Sequence, residues 1–255
     1  MGKVVFIGDI HGRDTWKTIV EREQDADRIV FIGDYLDTKG ERITGKRQVE
    51  NLHDIMEFKQ AKEDKVVLLF GNHDYHYLPE FCKREYSGFQ PGIAPKVKPL
   101  FRKNMDLFDM AFAADHILCS HAGVSSEWLN DFAGPEGELW HAVDLQSIVS
   151  AVNKVFREQP KVFEVRSYNP MRDSPWESPI WIRPAGLLKN NPSFLKGKAV
   201  QVFGHTMVED MRQAFERSIR EWQGRYFMAD GLAQGSYLVY GDGQLRVETI
   251  VDNEQ

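Results

Sequence analysis

Apolar positions fall along the chain in short runs that break off into glycine and polar residues. The runs are KVVFIGDIHG (3–12), RIVFIGDYLD (28–37), KVVLLFGNHD (65–74), HILCSHAG (116–123) and AVQVFGHT (199–206). Near-continuous apolar stretches of this length predict central strands covered on both faces. Between them the period changes. In RDTWKTIVEREQ, Trp16, Ile19, Val20 and Glu23 fall at helical spacing. In TGKRQVENLHDIMEFKQAKED, Val49, Leu52, Ile55, Met56 and Phe58 share roughly one side of a helix. Strand–helix–strand alternation predicts an α/β sheet with helices on its faces. Past residue 206 the segments RYFMADGL, GSYLVYGDG and QLRVETIV read as short strands joined by glycine turns, with YGDGQ as a hairpin signal. They predict an antiparallel sheet packed against the first. The regions 77–115 and 124–197, rich in Gly, Pro and Trp, show no strong periodicity and read as loops or caps elaborating one domain over 1–255.

Composition narrows the function classes. The chain has 255 residues, 42% hydrophobic and 27% charged, long enough to bury a full core. A net charge of −6 without a long basic tract argues against dedicated nucleic-acid binding. Cys82 and Cys119 form no CxxC pair, which suits a reducing cytoplasm better than a disulfide framework. The opening MGKVVFIGDIHG reaches Asp and His too soon for a secretory signal, and Phe6 stands where myristoylation needs Ser or Thr. No stretch approaches a membrane span.

The chemistry sits at the strand ends. Each of the five runs closes on candidate ligands: Asp9 and His11; Asp34 and Asp37; Asn72, His73 and Asp74; His121; and His205. In open α/β sheets, ligands bind beyond the carboxyl ends of the strands. Taken singly, an Asp or Asn after a strand reads as a turn or cap. Five such ends in order are hard to explain that way. Asp, Asn and His together suit borderline divalent ions such as manganese, iron or zinc.

The motifs GDIHG, GDYLD, GNHD, SHAG and GHT together resemble the signature of the calcineurin-like metallophosphoesterases, nearest the phosphoprotein phosphatase and diadenosine tetraphosphatase branch. The resemblance implies a four-layer αββα sandwich of two mixed sheets flanked by helices, with two divalent metals, manganese foremost and iron, zinc, nickel or magnesium as alternatives, at the strand ends. It implies that Asp9 and His11 hold the first metal, that Asp34 bridges both, and that Asn72, His121 and His205 hold the second. His73 is then a proton donor to the leaving group, oriented by Asp37. The implied reaction is phosphate monoester hydrolysis by in-line attack of a hydroxide bridging two cations about 3.5–4 Å apart. The expected substrates are phosphoproteins or nucleotides.

Some positions depart from the pattern. Where the family carries GDxxDRG, this chain has GDYLDTKG: Thr38 replaces the phosphate-contacting Arg, and Lys39 follows one residue late. WIRP nominates Arg183 as the second phosphate-binding cation. Met207 stands where nuclease-like members place a second His. His76 reads as a surface residue at a helix start, with His53, His116 and His141 at the surface or behind the site. Tyr75, Tyr77, Trp176 and Trp181 are candidates to stack on a nucleobase, with core packing the default for Trp181. Asp230 either buttresses His205 or makes a turn. Three functions compete: a phosphomonoesterase, a dinucleoside polyphosphate hydrolase, and a nucleic-acid phosphodiesterase. A catalytically dead binding module is a fourth reading, opposed by the intact ligand set.

Overall fold

The computed structural model describes residues 2–38, 42–82, 84–133, 144–166, 173–191, 194–197 and 199–250. Three of the apolar runs become parallel neighbours: β1 (Val4–Ile7), β2 (Arg28–Phe31) and β3 (Val66–Leu69). The register pairs Val5 with Ile29 and Val30 with Val67. The short β4 (Phe108–Asp109) extends this sheet beyond β3. The second sheet holds β5 (Ala111–Ala114), β6 (Ile117–Ser120), β7 (Val200–Phe203) and β8 (Tyr226–Met228), in that spatial order.

Side chains alternate across a strand, so one run can serve two cores. Val4, Phe6, Val30, Ile32 and Leu69 from the first sheet share a buried cluster with Ile117, Cys119, Val202 and Phe227 from the second. Their neighbours Val5, Ile7, Ile29, Phe31 and Leu68 turn the other way. There they join Trp16 and Ile19 of α1 (Trp16–Arg22) and Leu52 and Ile55 of α2 (Gly45–Ala61). Trp16 meets Phe31 edge-on at 5.5 Å. On the far side α6 (Leu145–Glu158) lies against β5, and α8 (Met211–Glu221) against β8. The architecture is two mixed sheets flanked by helices. Among the described residues no helix is long and apolar enough to cross a membrane.

The C-terminal strands differ from expectation. β9 (Ser236–Gly241) and β10 (Gln244–Thr249) do form the YGDGQ hairpin, but it joins the first sheet, with β9 antiparallel to β1 (Val5 opposite Val239). The open edge of β1 is an unpaired row of backbone donors and acceptors, and the hairpin covers it. β8 runs parallel to β7, because α8 supplies the crossover that a parallel pair needs. The elaborations also carry regular structure. α4 (Ala94–Lys103) buries Val97 and Phe101 four residues apart, although Pro95 and Pro99 blur its pattern. α5 (Ser126–Phe132) starts on Ser125, whose hydroxyl accepts from the Trp128 amide. α6 buries Ile148, Val152, Val155 and Phe156, a helical spacing inside a region that otherwise reads as irregular.

Candidate metal centre

The loops leaving β1 and β2 run side by side. The His11 amide donates to the Asp34 carbonyl at 2.7 Å, and the Gly12 amide to the Tyr35 carbonyl at 2.9 Å. That zipper sets the His11 and Asp34 side chains 3.8 Å apart, from Nε2 to Oδ2. From β3, the His73 amide donates to Asp34 Oδ1 at 2.8 Å. From β7, the His205 amide donates to both Asp9 oxygens at 3.0 and 3.1 Å. Gly204 makes that approach possible, since a Cβ there would lie 2.1 Å from Asp9 Oδ1. Four of the eight non-glycine residues with positive φ among those described are His11, Asp34, Asp37 and His205. Such backbone costs on the order of 1 kcal/mol or more per residue and concentrates at functional sites.

Asp9, His11, Asp34, Asn72, His121 and His205 therefore meet in one buried place. His121 Nε2 is 2.9 Å from Asn72 Oδ1 and 3.5 Å from Asp34 Oδ1, while His205 Nδ1 is 2.8 Å from the same Asn72 oxygen. His11 Nε2 is 3.9 Å from Asp9 Oδ2. The donor set fits divalent cations. His11 Nδ1 donates to the Leu36 carbonyl at 2.7 Å and His121 Nδ1 to the Ile32 carbonyl at 2.9 Å. Those carbonyls fix the tautomer, so each Nε2 turns a lone pair toward the carboxylates. Burial lowers the His121 pKa from its ordinary value and keeps the ring neutral, as a ligand must be. Its lone pair then faces the acceptors Asn72 Oδ1 and Asp34 Oδ1. Adjacent ligands of an octahedral ion at about 2.1 Å stand roughly 3 Å apart. The spacing at Asn72 matches.

Beside this group lies a second one built on Asp37. His73 Nδ1 donates to Asp37 Oδ2 at 3.1 Å, and the His73 and His11 rings meet edge-on at 5.2 Å. Three further donors reach the carboxylate. His76 Nε2 is 2.7 Å from Oδ2, the Tyr77 hydroxyl 2.6 Å from Oδ1, and Gln90 Nε2 2.9 Å from Oδ1. Burial alone would raise the Asp37 pKa; the bonds from His73, His76, Tyr77 and Gln90 outweigh it and bring it down to about 2. The carboxylate is ionised at any ordinary pH.

His76 corrects the expectation of a surface residue: it is 3% exposed. The closing of the segment 84–93 over it accounts for this, with Tyr86 and Phe89 against its ring. Its place three residues after His73 was the available signal, as was that of Tyr77 at four. Nothing local in the sequence marks Gln90. Tyr75 and Tyr77 are fully buried, so neither can stack on a base; Trp181 is a core residue at 5.9 Å from the His205 ring, and Trp176 is half exposed. Asp74 braces the loops, its carboxylate accepting from the Gly71 and Tyr35 amides at 3.0 and 2.9 Å. Burial, reinforced by Asp34, holds its pKa well above the usual carboxylate range.

Arg183 is partly buried at the edge of the site. Its Nη1 donates to the His205 carbonyl at 3.0 Å and to Thr206 Oγ1 at 3.3 Å. Burial lowers its pKa, against the pull of Asp9, Asp34 and Asp230. Asp230 is itself buried, with its carbonyl accepting from the Val208 amide. Thr38 is part-buried and can supply no charge where the family pattern has Arg. Lys39 and His141 lie outside the described residues. His53 is exposed and His116 half-buried, on the sheet away from these loops.

Two mixed sheets carrying a cage of Asp, His and Asn at their strand ends define a metal-dependent hydrolase scaffold. The chain belongs to the calcineurin-like phosphoesterase family, whose model matches residues 2–209. It is thus a hydrolase of phosphoester bonds from a dimetal-dependent family. None of the curated proteins matches its sequence. Among solved structures, a cold-active protein tyrosine phosphatase superposes with a TM-score of 0.61 at 16% identity, over 99% of this chain and 80% of that one. A protein serine/threonine phosphatase from Saccharomyces cerevisiae, with similarity to human phosphatase PP5, gives 0.55 at 14% identity, over 100% and 81%.

Proposed function

We propose that this protein is a dimetal phosphomonoesterase acting on phosphorylated proteins. The observation that carries the proposal is the meeting of Asp9, His11, Asp34, Asn72, His121 and His205 in one cage, with His73 held on Asp37 beside it. Asp9 and His11 would hold one ion and Asn72, His121 and His205 the other, with Asp34 available to both. When bound, the ions neutralise the phosphoryl charge and supply an activated water. Manganese suits this oxygen and imidazole set.

The chain's own residues do the rest. Asp37 stays charged and keeps the proton of His73 on Nδ1, which gives the ring one direction. His73 Nε2 then delivers a proton to the departing oxygen. Arg183, anchored on His205 and Thr206, binds the non-bridging phosphoryl oxygens, and Lys39 assists. Burial of Tyr75 and Tyr77 removes two walls that a dinucleotide hydrolase would use, and both structural neighbours named above are protein phosphatases. Cys82 and Cys119 are buried free thiols, which supports a cytoplasmic setting.

The test is a hydrolysis panel on chelated protein reloaded with manganese. It compares an aryl phosphate, a phosphopeptide, diadenosine tetraphosphate and a phosphodiester. Manganese-dependent cleavage of the first two, well above the others, is expected. Preference for diadenosine tetraphosphate would transfer the assignment to the dinucleotide branch, and metal-independent turnover would end it.

A further inference from the structure

The Asp37 carboxylate has about four acceptor positions, and side chains fill all four. Two imidazoles share Oδ2, and the shorter contact belongs to His76 at 2.7 Å, against 3.1 Å for His73. Tyr77 and Gln90 share Oδ1. We infer that His76 is a positioning residue for the reaction: its grip on Asp37 Oδ2, locked by the 86–90 segment, sets where His73 presents its proton.

The lock is visible around both rings. The His76 ring is edge-on to His73 at 5.6 Å, to Tyr77 at 4.8 Å and to Phe89 at 5.2 Å, and it stacks on Tyr86 at 6.4 Å. Aromatic walls on so many sides leave the ring one orientation. The same segment also presses on His73. Gly88 has φ of +95°, and a Cβ there would lie 2.9 Å from His73 Cε1. Gln90 bridges to Gln48, bonding Oε1 at 2.9 Å, and that same oxygen accepts from the Asp37 amide at 2.9 Å. The Tyr77 hydroxyl accepts from the Gln90 amide at 3.1 Å. Asp37 is therefore fixed at its backbone and at both oxygens, and His73 inherits that position through one bond.

Without the His76 hydrogen bond, Oδ2 keeps His73 as its single side-chain partner. The carboxylate then turns about its remaining bonds at Oδ1 and carries His73 Nδ1 with it. The caged Asp, Asn and His group does not share this contact. The loss therefore falls on proton delivery and spares metal binding. Esters with poor leaving groups need the proton; activated aryl esters need it far less.

This inference rests on the reading of His73 as the proton donor, and the experiment separates the two. The turnover number is measured on 4-nitrophenyl phosphate and on phenyl phosphate, with metal content, for the manganese-loaded enzyme. His76→Phe fills the space without the hydrogen bond. It should lose about 10–100-fold on phenyl phosphate, as removal of an orienting partner does, and roughly threefold or less on the nitrophenyl ester, with both metals retained. His76→Gln reaches Oδ2 with an amide at the Nε2 position and should recover most of the loss. His76→Asn falls short of Oδ2 without adding bulk and should repeat the Phe result. His73→Asn is the control. If His73→Asn is sensitive to the leaving group while the Phe and Asn variants at His76 lose activity equally on both esters, or on neither, His76 is only a packing residue and the inference falls. If His73→Asn is itself insensitive, the proton-donor reading falls, and the inference with it.

Discussion

Asp37 makes acid a probe of the site's construction. Its pKa falls from an ordinary 3.8 to about 2 in the folded chain. At about 1.4 kcal/mol per pKa unit, this is about 2 kcal/mol of stability. The folded-state value is the lower one. The stabilisation is therefore complete above pH 3.8 and is lost as pH falls through 2. Roughly 1 kcal/mol of it should be gone by pH 3. Other carboxylates titrate in the same range, so the measurement is a difference. Urea unfolding of chelated wild type and of Asp37→Asn is followed at pH 7, 5, 4 and 3. Chelation removes the separate pH dependence of metal binding. In the variant, an amide nitrogen faces two imidazole donors in place of Oδ2, so it is less stable at neutral pH. The gap between the two proteins should hold from pH 7 to 5 and narrow by roughly 1 kcal/mol by pH 3. A gap that stays constant, or widens in acid, would show that the four donors do not hold Asp37 in its charged form.

Gly204→Ala should drive a methyl into Asp9, 2.1 Å from Oδ1, with loss of bound metal and about 1–3 kcal/mol of stability; metal analysis and thermal melting read both, and full occupancy would count against the close approach. Asp34→Asn should lose both ions if that carboxylate is shared; two metals per chain in the variant would refute the sharing. Arg183→Ala should raise KM about 10-fold or more, the worth of a charged hydrogen bond, with Arg183→Lys restoring only part of it. An unchanged KM would remove Arg183 from phosphate binding.

How much of this was legible in the sequence depends on how locally each feature is determined. The cores of β1, β2, β3, β6 and β7 lie within the five apolar runs, because a strand buried on both faces needs no partner to reveal itself. The candidate ligands follow those runs directly, so their convergence could be anticipated from the carboxyl ends alone. The hairpin β9–β10 was legible as a hairpin, while its partner was not. Alternating apolar residues fit any open edge, and only the three-dimensional position of β1 decides between them. α6 carried its own period, hidden by the Pro- and Trp-rich sequence around it.

The grip on Asp37 is the case where locality fails most clearly. His76 caps the short α3 (Asn72–Tyr75) that carries His73, and beyond its spacing from His73 the sequence offers no reason to bury it. Its burial is supplied by Tyr86 and Phe89, and the fourth donor to Asp37 by Gln90, from a Gly- and Pro-containing stretch with no period. A buried polar ring is tolerable only when its donor finds an acceptor. Asp37 is that acceptor for His76, and it becomes so only once the segment has closed. The cage of Asp, His and Asn is thus specified strand by strand, whereas the group built on Asp37 is specified by closure. Substitutions in the closing segment that touch no metal ligand should accordingly alter turnover before they alter metal content.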